Sequence, residues 1–449
     1  MLLAGRSWKA TLARTLLVLV LAAGATVAGL FPLGQSVAAA AGDLVRVGLV
    51  TGQAEVRLGG LGRVLVGDAS GNVLGWLEAE LTLTAGPDGQ IAVPGVGSFP
   101  GPLTIRPEPS SPSGSVVVAG HPYRGEIQVL VRDGLLTVVN SLPLEDYLLG
   151  VVPREMPADF PLEALRAQAV AARTYALYVR AGGSYAALGY DLVPTTACQV
   201  YGGLEAERET TTLAVRSTAG EVITYEGRYI GAFFHSTSGG FTESVEFVWG
   251  FPCSYLKGVP DVDQASPHHT WSLSLTQAEL TAKLEAAGYG VGEVLGLEGV
   301  PPQGPGGRYL EQLVDGRTGQ ARLRSEKLRA ILGLRSTRFE VRGEQPKVES
   351  VPRRLGLGAV SVVGADGRAT SSAAPVSVLG ATQLVTATLA DSWAVAPALV
   401  PATFVFDGHG WGHGVGLSQW GARGLALEGK TYRDILTYYY TGVTVGTMP

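Results

Sequence analysis

Apolar and polar residues alternate with period two over Leu44-Val45-Arg46-Val47-Gly48-Leu49 and Ala54-Glu55-Val56-Arg57-Leu58, which predicts strands with one buried face. Gly59-Gly60, Gly67-Asp68 and Pro87-Asp88-Gly89 punctuate this region as turns. The Pro- and Ser-rich stretch Pro107–Gly114 predicts a loop or linker. Glu126–Val131 and Leu135–Val139 predict a hairpin around Asp133-Gly134.

The period then lengthens. Leu162, Leu165, Ala169, Ala172, Ala176 and Val179 recur at helical spacing, so a helix is predicted over Pro161–Val179, with Asp159 a candidate cap. Its other face is also rich in Ala, Val and Leu, and a helix apolar nearly all round is buried. Arg166, Arg173 and Arg180 lie seven apart on one flank of the stripe. Further helices are predicted over Thr276–Ala287, Gly319–Leu332 and Tyr432–Tyr440, and a strand over Phe404–Phe406. Between 346 and 402 Lys and Glu thin out, and Val351–Val363 and Val376–Leu389 predict short strands.

The pattern therefore predicts an α+β fold with a β-rich N-terminal region over 42–119. A mixed core around a buried central helix follows over 120–345. A β-rich insertion occupies 346–402, and residues 403–449 return to complete the core. The composition excludes a disordered chain: 46% of the 449 residues are hydrophobic and 16% charged, against a usual share of about 25% charged.

The net charge is −5, and residues 1–41 carry Arg6, Lys9 and Arg14 without an acid, so the remainder is −8. An acidic body argues against nucleic acid as partner, and neither a P-loop nor a Gly-rich dinucleotide turn is present. An uncharged glycan is not excluded. The basic residues precede an apolar run, Leu16–Leu30, and the small residues Ala38–Ala41. That order predicts a secretory signal peptide over 1–41, with a retained anchor as the alternative. The protein is expected to work outside the cytoplasmic membrane. In an exported chain the only two cysteines, Cys198 and Cys253, suggest a disulfide; a Cys–His metal site and free thiols are the alternatives.

Three segments carry candidate chemistry. Pro153-Arg154-Glu155-Met156-Pro157 places one carboxylate between two prolines ahead of the buried helix, predicting a stiff loop. Partial desolvation there would raise the Glu155 pKa and suit it to general-acid work near neutral pH. A surface Glu paired with Arg154 or Arg173 is the commoner arrangement for such a composition. In Phe233–Gly240 an apolar strand runs into His235, Ser236, Thr237 and Ser238 and then glycines. No nucleophile elbow surrounds these serines, so they read as ligand contacts or helpers to an acid. Gly408–Ala422 holds His409, Trp411, His413, Gln419 and Trp420 among five glycines up to Gly416. Glycine makes a helix costly, at ~1 kcal/mol each, so this is a tight loop and not a helical metal motif. Its aromatics suit stacking on sugar faces. His121, His268 and His269 read as surface residues.

Leu142–Pro157, Ala164–Ala176, Thr195–Tyr201, His235–Glu243, Trp249 with Tyr255-Leu256, and Gly408–Ala422 together resemble the stage II sporulation protein D family and its relative, the amidase enhancer LytB. The resemblance spans roughly 120–345 and 403–445. It implies a peptidoglycan lytic transglycosylase acting on MurNAc–GlcNAc bonds of glycan strands that have lost their stem peptides, in wall remodelling or sporulation. It implies Glu155 as catalytic acid and then base, without a cofactor. Arg173, Tyr175, His235, Ser236, Ser238, His409, Trp411, His413 and Gln419 would surround the groove. Some relatives bind zinc, but no Cys/His set completes a site around Cys198, so no metal is expected. The alternative implied is a non-catalytic wall-binding enhancer of an N-acetylmuramoyl-L-alanine amidase, and such a wall enzyme is the candidate protein partner.

Overall fold

A computed structural model describes residues 44–447, except 87, 110–113, 345–346, 355–359, 364–368, 373–375, 380–383 and 388–392. The predicted signal segment and the middle of the Pro/Ser stretch lie outside the described residues.

The alternating N-terminal segments form two six-stranded sheets. Val47, Val64, Leu103, Ile127 and Val138 in one, and Val56, Leu58, Leu83 and Ile91 in the other, are buried. Most of these side chains share one core, as two half-apolar sheets must. The hairpin Glu126–Arg132 and Leu135–Pro143 belongs to the first sheet, where Leu135–Pro143 also pairs antiparallel with Leu44–Gln53. The sandwich therefore continues to Pro143, and the expected boundary at 119/120 lies inside it.

The chain passes directly from that strand into α1 (Leu144–Glu155), whose first turn carries Glu145 and Asp146 at the positive end of the helix. After a turn, α2 runs from Leu162 to Gly182, with Pro161 flanking its start and no side-chain cap from Asp159. Gly183 ends it at φ 65°, a left-handed position that suits glycine. Buried residues on α2 include Leu165, Ala169, Arg173 and Leu177, so the central helix is enclosed as its sequence predicts. Packed around it are α3 (Glu209–Ser217) and, beyond two more helices, α6 (Gln419–Leu427) and α7 (Tyr432–Tyr439).

Those two intervening helices are α4 (Gln277–Ala286) and α5 (Ser325–Leu332). The predicted helix over Gly319–Leu332 is corrected in its first half. Gly319–Arg324 is a strand paired antiparallel with Tyr309–Gly316, and its alternating exposure follows the period-two pattern Gln320, Ala321, Arg322, Leu323. Thr403–His409 is the centre of a three-stranded sheet between Thr270–Thr276 and Phe339–Glu344. Glu344 pairs with Thr403, so the excursion leaves and re-enters at adjacent positions. Within it Lys347–Arg354 pairs with Trp393–Val400. This connection lets 346–402 be inserted without displacing the pairing of Thr403–His409 with its two neighbours.

Candidate active site

Glu155 is the last residue of α1, with Pro153 inside the helix, and not part of a loop. Pro153 has no N–H, so α1 lacks one backbone bond close to its C-terminal end. Met156 then turns extended, at φ −124° and ψ 135°, as a residue before proline prefers. The helix therefore stops with Glu155 on its final turn.

The Glu155 side chain meets the loop after Cys198. The Val200 amide donates to Glu155 Oε1 at 2.6 Å. Burial pushes the carboxyl up to about 7, against the smaller opposing influences of the Val200 bond and Arg154. The C-terminal carbonyls of α1 act in the same direction, since they disfavour a nearby anion. With Oε1 occupied by an N–H, Oε2 is the oxygen able to carry a proton. A fixed carboxyl that is half-protonated near neutrality can donate and then retrieve a proton.

Two tyrosines, Tyr147 and Tyr175, lie within electrostatic reach of this carboxyl. Tyr147, two turns earlier on α1, is buried, and its hydroxyl has no hydrogen-bond partner among the described residues. Its ring lies 5.0 Å from that of Tyr201, the neighbour of Val200 in sequence. Tyr175 on α2 is half-buried, and its phenol is raised mainly by burial, with Cys198 and Glu155 contributing. Its ring stands edge-on to Phe233 and Phe234 at 5.7 and 6.3 Å. Phe233 touches Trp249 at 4.6 Å, and Trp249 touches His413 at 5.1 Å. A row of rings thus links Glu155's neighbour Tyr175 to the late glycine loop.

That loop is zipped to the His235 segment. Thr237 and Trp411 exchange both backbone bonds, at 3.1 and 2.8 Å, which sets His413 opposite His235 and His409 opposite Gly239. A Cβ on Gly239 would lie 2.5 Å from His409 Cβ, so glycine there is a steric requirement. The His235 and His413 rings are 5.4 Å apart. His235 Nδ1 donates to the Val415 carbonyl at 3.2 Å, while His413 Nδ1 accepts from the Val415 amide at 3.0 Å. Burial holds both imidazoles neutral, His235 well below its ordinary value and His413 at about 3.

His409 parts company with them. It is exposed, its ring 6.3 Å from that of His269. Trp411 is 43% exposed with His268 edge-on at 4.3 Å. His268 and His269 are therefore components of this face, against the surface reading of both. His269 donates from Nδ1 to the fully buried Asp263 at 2.9 Å, with Asp263 also accepting from the Gly239 amide at 2.7 Å.

Three expected groove residues, Arg173, Ser238 and Gln419, are buried in other settings. Arg173 is 0% exposed and grips Glu145 with two bonds of 2.7 Å. It also donates to the Glu221 and Val215 carbonyls, so it ties α2 to α1 and cannot line a groove. Ser238 is buried and donates to Asp261 at 2.6 Å. Gln419 is buried, with Nε2 donating to Gln168 Oε1 at 3.3 Å. Ser236 is half-buried against the Thr237 hydroxyl at 3.2 Å. The disulfide is also corrected: Cys198 and Cys253 are both free thiols. The Cys198 thiol, raised by burial, has Tyr185 as its side-chain partner.

Cavities of about 360 and 250 Å³ lie elsewhere, beside Gly101 and Arg132 and beside Glu246 and Pro301. No group of three metal-binding side chains occurs among the described residues. Nor is any helix among them long and apolar enough to cross a membrane.

The family model described as stage II sporulation protein matches residues 132–225, the segment from the last sandwich strand through α1, α2 and α3. Stage II sporulation protein D of Bacillus subtilis is 32% identical over 321 residues, covering 68% of this chain and 75% of that protein. An uncharacterised protein of Brachyspira hyodysenteriae is 30% identical over 326 residues, 73% of each chain. The amidase enhancer of Bacillus subtilis is 30% identical over 373 residues, 80% of this chain and 48% of that protein.

Proposed function

The chain belongs to the stage II sporulation protein D family, and on that premise we propose that it is an extracytoplasmic lytic transglycosylase of peptidoglycan. Its substrate is the MurNAc–GlcNAc bond of peptide-free glycan strands, and its product carries a 1,6-anhydro end. The observation that carries this reading is the Glu155 carboxyl, raised by burial to about 7 and anchored through one oxygen by Val200.

The chemistry needs one carboxyl. Protonated Glu155 gives its proton to the bridging oxygen, and the leaving sugar departs with the bond's electron pair. Positive charge develops at C1 of the muramic residue. The resulting carboxylate removes the proton from the same sugar's C6 hydroxyl, whose oxygen closes onto C1. Glu155 ends protonated, ready for another turn. Because the C6 oxygen is the nucleophile, the second carboxylate of a hydrolytic glycosidase is unnecessary. The acid–base contribution is typically about 10²–10⁴-fold, and holding the C6 hydroxyl against C1 supplies more. Tyr175, Trp249 and His413 form the aromatic wall along which the strand would lie.

The test is release of soluble fragments from purified peptide-free glycan, wild type beside Glu155→Gln. Release by wild type and none by the variant supports the enzyme. A second reading is favoured by the amidase enhancer relative: a wall-binding protein that stimulates a separate amidase. It requires unchanged binding and stimulation in Glu155→Gln, with no fragments released by either protein.

A further inference from the structure

The exposed Trp411 is set in a built patch. Its backbone is fixed by the exchange with Thr237, the next amide, Gly412, donates to the Arg335 carbonyl at 2.9 Å, and Gly410 donates to the His269 carbonyl at 3.0 Å. Three separate segments thus converge on the loop. The Arg335 guanidinium lies over the Trp411 ring at 5.7 Å and touches His268 Nδ1 at 3.2 Å. His268 is held neutral by burial and by that cation, so its Nδ1 is the acceptor. Arg335 is exposed, and no carboxylate pairs with it among the described residues. In an acidic chain, an unpaired guanidinium stacked on an open indole is a site for an anion carried on a flat apolar face.

We propose that Trp411, Arg335 and His268 form a subsite for a carboxylate-bearing sugar: the indole takes the pyranose face, and Arg335 pairs with the carboxylate. Resting on the glycan reading above, the carboxylate is the free lactyl group of a peptide-free muramic residue. A stem peptide converts that group to an uncharged amide and adds bulk. The patch therefore distinguishes a free lactyl carboxylate from one capped as an amide. Trp411 is two residues from His413, at most about 7 Å along the backbone, so the subsite flanks the aromatic wall that leads to Tyr175.

The test is binding, independent of cleavage. Peptide-free glycan chains and the same chains with their lactyl carboxylates converted to neutral methylamides are titrated against the full chain carrying Glu155→Gln, with and without Arg335→Gln. The carboxylate form is expected to bind about tenfold tighter than the amide form, a size suited to one partly exposed charge-assisted contact. Arg335→Gln is expected to abolish that difference while leaving affinity for the amide form unchanged. Trp411→Ala is expected to weaken both forms. Equal affinity for the two forms, or an equal loss on both with Arg335→Gln, overturns the subsite and leaves the glycan reading intact. Binding to neither form overturns both.

Discussion

The Val200 amide donates to Glu155 Oε1 at 2.6 Å and so decides which oxygen of a buried carboxyl is left for chemistry. Glu155→Gln preserves that acceptor but has no proton to give, so turnover is expected to fall by at least about 10²-fold with the fold intact. Fragment release together with a thermal melt checks both halves.

The same carboxyl costs stability. Its folded-state value, about 7, lies above the ordinary 4.5. Between those values the folded state holds the proton and the unfolded state does not. Stability from this group is present below pH 4.5 and is lost as pH rises through 7. The full difference is about 3 kcal/mol. Glu155→Gln is therefore expected to melt higher than wild type at pH 8 and no higher at pH 4. Equal shifts at both pH values contradict a buried carboxyl.

His235 and His413 act with the opposite sign. Both are depressed below 6.5, so the unfolded chain takes up protons that the folded one refuses. Stability is expected to fall as pH drops below 6.5, with a slope approaching about 1.4 kcal/mol per pH unit per imidazole. Denaturant titrations from pH 7 to 4 measure it, and His413→Asn removes one share. Because both rings stay neutral, activity is expected to decline as pH rises through 7, with no second limb from these histidines between pH 5 and 7.

Arg173→Ala is expected to destabilise by about 3 kcal/mol, low in the range for breaking a buried pair because Glu145 keeps solvent contact. Activity per folded molecule is expected to hold. A specific loss of kcat at unchanged stability would place Arg173 in the groove after all.

Cys198 and Cys253 are expected to titrate as two free thiols in denaturant without reductant. In the folded protein Cys198 reacts slowly, since burial raises its thiol.

Much of this fold is legible in periodicity alone. The enclosure of α2 follows from apolar residues on all its faces, and the central strand Thr403–His409 from Phe404-Val405-Phe406. Glu155 stands out as a lone acid, but its prolines disguise a helix end as a loop. Partners distant in sequence are not legible. Arg173's spacing within α2 marks a flank but cannot show that Glu145, 28 residues earlier, will neutralise it. The pairing of Thr237 with Trp411, which brings His235 to His413 and sends His409 elsewhere, joins segments remote in the chain. Nor is Tyr147 legible, since its distance of two turns from Glu155 matters only when Leu144–Glu155 forms one helix. Asp263 and His269 could have been suspected from their spacing of six across a turn.

The most direct measurement is the mass of the ends released from peptide-free glycan by the wild-type protein. Ring closure by the C6 hydroxyl predicts fragments lighter by one water than reducing-end sugars, from wild type alone. Reducing ends carrying oxygen from labelled water would contradict a single carboxyl returning its proton, because water would then be the nucleophile.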